Sequence, residues 1–122
     1  MKKLFSLLLA ATSLVGCQSN TAFKSVDVQQ FAEVIANKDV QLVDARTPEE
    51  FSEGHIPGAV NMDVKSENFD TQIAQLDSSR PVAVYCRSGR RSKLAAERMV
   101  NAGLQVTELS DGILSWKGEV VK

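Results

Sequence analysis

The stretch Cys86-Arg87-Ser88-Gly89-Arg90-Arg91-Ser92 brings a thiol, a glycine and three guanidinium groups together. A thiolate is a strong nucleophile, and neighbouring cations or the positive end of a helix favour it over the thiol. The preceding residues, Pro81 to Tyr85 (PVAVY), are apolar throughout, as a strand covered on both faces should be. From Ser92 to Ala102 the pattern predicts a helix with Leu94, Ala95, Met99 and Ala102 inward and Lys93 facing Glu97. The thiol therefore falls at a strand-to-helix junction. In open α/β sheets ligands bind beyond strand carboxyl ends, where helix N-termini leave N–H groups unpaired. Gly89 permits backbone geometry closed to other residues, so the loop can curl and face its N–H groups to the sulfur. The arginines make a local anion trap. Taken alone, Cys86 could be a small buried hydrophobe and the rest a solvated turn. The coincidence of thiol, glycine and arginines at one junction argues instead for a nucleophile that meets an anion.

The elements around this loop alternate between strand and helix. Ser25-Val26-Asp27 reads as a brief strand and cap, and Val28 to Asn37 carries Phe31, Val34 and Ile35 at helical spacing. Val40 to Val43 is a short strand ending at Asp44. Thr47 suits a helix cap, Pro48 the first helical position, and Glu49 and Glu50 the positive end. Ala59 to Asn61 is a third strand, Phe69 to Leu76 a helix and Val106 to Leu109 the last strand, followed by a turn at Asp111-Gly112. Gly103 is placed for the left-handed position after the helix, with Leu104 packing back. Alternation with short connections predicts a parallel α/β sheet with helices on both faces.

Composition sets limits. A chain of 122 residues, 43% hydrophobic, holds one compact domain. Its formal net charge of -1 supplies no basic field, so no nucleic-acid partner is expected. Two cysteines and one histidine cannot fill a zinc site, and no metal or other cofactor is expected. Lys2 and Lys3 precede an apolar run, Leu4 to Leu14, which as a helix would span about 16 Å, too short for a bilayer. It reads as a cleaved secretory signal. Leu14-Val15-Gly16-Cys17 resembles the bacterial lipobox, whose cysteine is acylated and becomes the new N-terminus. The expected organisation is a lipoprotein signal peptide at 1–16, a lipidated tether at 17–24 and one domain at 25–122. Cleavage before Cys17 would move the formal charge from -1 to -3. Gln18 rather than aspartate after the cysteine resembles lipoproteins sorted to the outer membrane. The expected location is the periplasmic face of a bacterial membrane, held by lipid, outer rather than inner; an ordinary secretory signal would instead leave a soluble periplasmic protein.

Leu42-Val43-Asp44-Ala45-Arg46-Thr47-Pro48-Glu49-Glu50-Phe51, then Gly54-His55-Ile56-Pro57-Gly58-Ala59, resembles the paired landmarks of rhodanese domains. Cys86 to Ser92 is similar to their active-site loop, and Leu109-Ser110-Asp111-Gly112-Ile113 with Trp116 to their usual end. The resemblance covers essentially the whole domain, and it is closest to single-domain periplasmic rhodaneses of the phage-shock type. It implies a five-stranded parallel sheet and a thiosulfate sulfurtransferase that carries sulfur as a Cys86 persulfide. A small anionic sulfur donor and a thiol or cyanide acceptor would be its partners. It implies donor binding by Arg87, Ser88, Gly89, Arg90 and Arg91, with Arg90 and Arg87 ahead of Arg91. Asp44 and Arg46 would support the site as a structural ion pair, and His55 would be scaffold. Two rival functions stand beside this one. A phosphatase or arsenate reductase of related fold needs a Cys-x5-Arg loop, but Ser92 occupies the arginine position and Arg91 comes one residue early. A noncatalytic binding module commonly lacks the cysteine kept here.

Overall fold

The structure is a computed structural model that describes residues 22–122. The expectations placed on Cys17 and the leader lie outside those residues. Nine elements follow in order: β1 (Lys24–Val26), α1 (Val28–Ile35), β2 (Gln41–Asp44), α2 (Pro48–Glu53), β3 (Val60–Asn61), α3 (Phe69–Ile73), β4 (Val82–Tyr85), α4 (Arg90–Asn101) and β5 (Val106–Leu109). A 3₁₀ turn at Ile113–Ser115 comes after them. The strands form one five-stranded sheet in the order β1-β5-β4-β2-β3, every pairing parallel.

β4 lies at the centre, and its four residues are all buried, which accounts for its unbroken apolar run. One face of the sheet packs Val43, Val82, Val84 and Val106 against Phe69 and Ile73 of α3 and Ala95, Ala96 and Met99 of α4. The other face packs Leu42, Ala83, Tyr85 and Leu109 against Phe31 of α1 and Ile56. Helices thus cover both faces.

Local chemistry sets the helix ends. Asp27 accepts from the Gln30 N–H at 2.9 Å while the Gln30 side chain reaches back to the Asp27 N–H, a capping box that starts α1. Thr47 and Glu50 do the same for α2, with Pro48 in the first turn. The predicted helices 28–37 and 69–76 are shorter than expected. After Ile35, Asn37 takes the Asp39 N–H on its side chain at 2.9 Å and bends the chain away from helix. β1 starts at Lys24, inside the stretch read as tether.

α4 departs most from expectation. It begins at Arg90, two residues early, capped by Gly89 at φ 106°. Its buried residues are Ser92, Ala95, Ala96 and Met99, whereas Leu94 is 52% exposed and Ala102 is exposed. The i, i+3, i+4, i+7 face that meets the sheet starts at Ser92, which turns Leu94 outward. Nor does Lys93 pair with Glu97: it reaches the fully buried carboxylate of Glu108, 3.3 Å away. A buried anion attracts a lysine more strongly than a solvated one. Gly103 holds the expected left-handed conformation at φ 92°, and the Leu104 N–H closes onto the Met99 carbonyl at 3.0 Å.

Candidate active site

From β4 the chain runs on toward β5 on one side, while from β2 it runs to β3 on the other. The strand order therefore reverses between β4 and β2, and the crevice beyond their carboxyl ends is the favoured ligand site of an open α/β sheet. Cys86 follows β4 directly and stands at that point. Its residue is 1% exposed, more enclosed than a surface loop would make it.

The loop curls as its glycine suggests. The Gly89 N–H points at Cys86 Sγ, 3.1 Å away, so one backbone dipole is aimed at the sulfur. No side chain fits on this residue: a Cβ would lie 2.0 Å from the Ser110 carbonyl oxygen, quite apart from the positive φ. The 3₁₀ turn holds the loop from below. The Ile113 N–H donates to the Cys86 carbonyl at 2.9 Å, and the Leu114 N–H to the Arg87 carbonyl at 3.2 Å. Gly112, at φ 72°, passes so close that a Cβ would sit 2.1 Å from the Arg87 carbonyl oxygen.

The loop arginines separate into two kinds. Arg87, Ser88 and Arg90 are exposed, and neither Arg87 nor Arg90 has an ion-pair partner among the described residues. Arg91 instead grips Glu50 with two hydrogen bonds, Nη1 to Oε1 at 2.7 Å and Nη2 to Oε2 at 3.0 Å. Those bonds hold the Glu50 carboxyl down to about 2, and Glu50 in turn raises the Arg91 pKa. Glu50 also closes the capping box of α2, so one side chain ties that helix to the loop. The sequence marked Glu50 only as a charge suited to a helix start.

Asp44 and Arg46 form a buried pair beside the loop, with Arg46 Nη2 2.7 Å from Asp44 Oδ2 and a further bond from Nε to Oδ1 at 3.0 Å. Burial disfavours the Arg46 charge, but the hydrogen bonds and charge of Asp44 outweigh it and raise the pKa. Arg46 Nη2 also donates to the Gly54 carbonyl at 2.7 Å, and Asn61 Nδ2 donates to the carbonyls of Asp44 and Arg46. The pair joins β2, β3 and the chain after α2. Tyr85 packs against it, its pKa raised by burial and by the Asp44 charge, and its hydroxyl oxygen accepts from the Ile56 N–H at 3.1 Å. His55 stacks on Phe51 at 3.7 Å between ring centroids, its Nδ1 2.9 Å from the Phe51 carbonyl, while its backbone pairs with Val121. These contacts hold scaffold together.

Sequence reasoning missed Glu108. It lies on β5, fully buried, and accepts from Ser25 Oγ at 2.6 Å and from Ser92 Oγ at 2.5 Å. Ser92 Oγ in turn lies 3.5 Å from Cys86 Sγ. One signal was present: a lone glutamate inside the otherwise uncharged strand Val106-Thr107-Glu108-Leu109.

A buried cysteine at the reversal point of a parallel sheet, with a loop amide aimed at its sulfur and two exposed arginines on the same loop, defines an α/β protein with a cysteine-centred candidate site. Sequence comparison gives the family: residues 27–119 match the rhodanese-like domain, and the chain belongs to that family. It is 36% identical over 97 residues to the thiosulfate sulfurtransferase GlpE of Shewanella oneidensis, across 79% of this chain and 94% of that protein. It is 33% identical over 93 residues to a sulfurtransferase of Allochromatium vinosum, across 75% of this chain and 85% of the relative. Among solved structures, a rhodanese-related protein from Thermoplasma volcanium superposes with a TM-score of 0.70 at 28% identity, covering 81% of this chain and 98% of its own. Family and relatives together support sulfur transfer as the class of activity.

Proposed function

We propose that the protein moves sulfane sulfur from thiosulfate, or a donor of similar charge and size, to a thiophilic acceptor through a persulfide on Cys86. The observation that carries this reading is the Gly89 N–H aimed at Cys86 Sγ, with Arg87 and Arg90 exposed on the same loop. In the first half-reaction the Cys86 thiolate attacks the outer sulfur of thiosulfate. A new S–S bond forms, and sulfite leaves with the electron pair of the old one. The persulfide anion then has a backbone dipole beside it, fixed before the reaction begins. In the second half-reaction the acceptor attacks the outer sulfur and thiolate returns. Burial of Cys86 guards the persulfide from stray thiols between the two steps. A phosphatase reading finds little support, because Arg91 is committed to Glu50 and Ser92 stands where the wrapping arginine would be.

The test separates the half-reactions. Thiosulfate alone should release about one sulfite per protein and add the mass of a single sulfur, removable by cyanide, and steady-state kinetics should be ping-pong. Cys86→Ser should abolish both signals. An alkylatable Cys86 that never acquires sulfur from thiosulfate, polysulfide or a persulfide donor would leave the binding-module reading ahead. Hydrolysis of aryl phosphates without sulfite release would favour the phosphatase.

The proposal includes a place. The signal-like run at 4–14 and the lipobox-like residues 14–17 support acylation at Cys17 and anchorage on the periplasmic face of a membrane, the outer one by the sorting argument. Cys17→Ser should give an uncleaved precursor or a soluble form. A free N-terminus at another residue of the native protein would end this part of the proposal.

A further inference from the structure

Behind the sulfur lies a carboxylate that the two half-reactions above leave without a task. Glu108 is 0% exposed, on the same face of the sheet as α4. Its Oε1 accepts from Ser25 on β1 at 2.6 Å, and its Oε2 accepts from Ser92 at 2.5 Å and from Lys93 Nζ at 3.3 Å. Lys93 also donates to the carbonyls of Gly89 and Ser110, both at 3.2 Å. Ser92, likewise 0% exposed, owns a single hydroxyl proton. Of the two acceptors within its reach, Glu108 at 2.5 Å is closer than the Gly89 carbonyl at 3.2 Å, and with the proton on the shorter bond its lone pairs are left for the Cys86 S–H, whose sulfur is 3.5 Å away. Thiol, hydroxyl and carboxylate thus stand in single file, all three residues closed to bulk water.

We propose that Ser92 and Glu108 form a proton relay that takes up the Cys86 proton as the nucleophile forms. The inference rests on the reading of Cys86 as the sulfur carrier. In one movement the S–H bond breaks as an O–H bond forms on Ser92, and the original Ser92 O–H bond breaks as one forms on Glu108 Oε2. Sulfur becomes thiolate, Glu108 becomes the neutral acid, and Ser92 is again a hydroxyl. That hydroxyl now donates to the sulfur, giving the thiolate a second donor beside the Gly89 N–H. Lys93 is the one charged side chain hydrogen-bonded to Glu108 among the described residues. The proton returns when the acceptor has removed the sulfane sulfur and the resting thiol re-forms. Ser92 touches the reacting atom; Glu108 acts through Ser92.

A merely electrostatic carboxylate predicts the opposite kinetics. A fixed negative charge near Sγ disfavours the sulfur anion, so Glu108→Gln would speed loading. The relay predicts that Glu108→Gln and Ser92→Ala each slow single-turnover sulfur loading from thiosulfate near neutral pH, on the order of a hundredfold. The KM for thiosulfate should hardly move. Alkaline pH should restore both variants, because hydroxide replaces the lost acceptor, and Ser92→Thr should retain most of the rate. A second readout needs no variant. Difference infrared spectra of the wild-type protein before and after thiosulfate loading should gain the carbonyl stretch of a protonated carboxylic acid, absent in Glu108→Gln if that variant folds. Loading confirmed by intact mass but with no such band, or a Glu108→Gln rate equal to or above wild type, overturns the relay and leaves sulfur transfer standing. A wild-type protein that takes up no sulfur at all removes both.

Discussion

Gly112 lies outside the Cys86–Ser92 loop, yet it packs against that loop's backbone, and replacing it is expected to slow the proposed reaction. A Cβ there would lie 2.1 Å from the Arg87 carbonyl oxygen, 2.3 Å from the Arg87 carbonyl carbon and 2.6 Å from the Ser88 nitrogen. Ordinary contact begins at 3.4 Å, so Gly112→Ala requires a separation of about 1.3 Å (3.4 − 2.1) between two backbone segments. The loop above is held by the Ile113 and Leu114 N–H groups, and the same movement pulls on both bonds. Misplacing a reacting group by about 1 Å costs on the order of a hundredfold in rate. At φ 72° and ψ −175°, backbone that only glycine adopts readily, an alanine adds about 1–3 kcal/mol of strain, and the clash brings the loss to roughly 3 kcal/mol. For a domain of this size that lowers Tm by about 10 °C or more. Gly103→Ala is the matched control, because its φ is +92° and its Cβ would meet nothing within 4 Å. It should lose about 1 kcal/mol of stability and no activity. The assay is single-turnover sulfite release at a temperature where all three proteins are folded, alongside thermal denaturation. A folded Gly112→Ala that loads sulfur at the wild-type rate would refute the claim that this turn sets the loop.

Two further outcomes follow from the loop's charges. If Arg90 neutralises the donor's oxygens, Arg90→Ala should chiefly raise KM, lowering kcat/KM by roughly tenfold to a hundredfold for the loss of about 1.5–3 kcal/mol, and unchanged kinetics would shift that role to Arg87. The Glu50–Arg91 pair is a stability device: Glu50→Gln should cost about 1 kcal/mol, reduced by salt, since the pair is partly solvated. Its pH dependence has a definite sign. The Glu50 pKa is lowered from 4.5 to about 2 in the fold, so the stabilisation is complete above 4.5 and is lost as the pH falls toward 2. Denaturant titrations of wild type and Glu50→Gln should therefore converge across that window; a gap that persists through it would show the pair contributes by packing alone.

The order of elements, the buried central strand, the helix cap at Thr47 and the loop with its thiol were legible in the residues themselves, because each depends on neighbours close along the chain. An apolar run, a threonine before a proline and a glycine after a cysteine carry their physics locally. Helix phase was less legible. The loop claims Arg90 and Arg91 for the first turn of α4, and only contact with the sheet selects Ser92 rather than Leu94 for the inward face. Partners distant in sequence were decided by the tertiary structure alone. Arg91 meets Glu50 41 positions away, Ser25 meets Glu108 83 positions away, and Gly112 meets the Arg87 carbonyl because a short turn after β5 folds beneath β4. Sequence spacing cannot assign such partners, since a charged side chain offers the same chemistry to every opposite charge until the sheet order places one within reach. Parallel pairing of β4 between β2 and β5 brings Glu50, Glu108 and Gly112 against the one segment Cys86–Ser92, each from a different part of the chain.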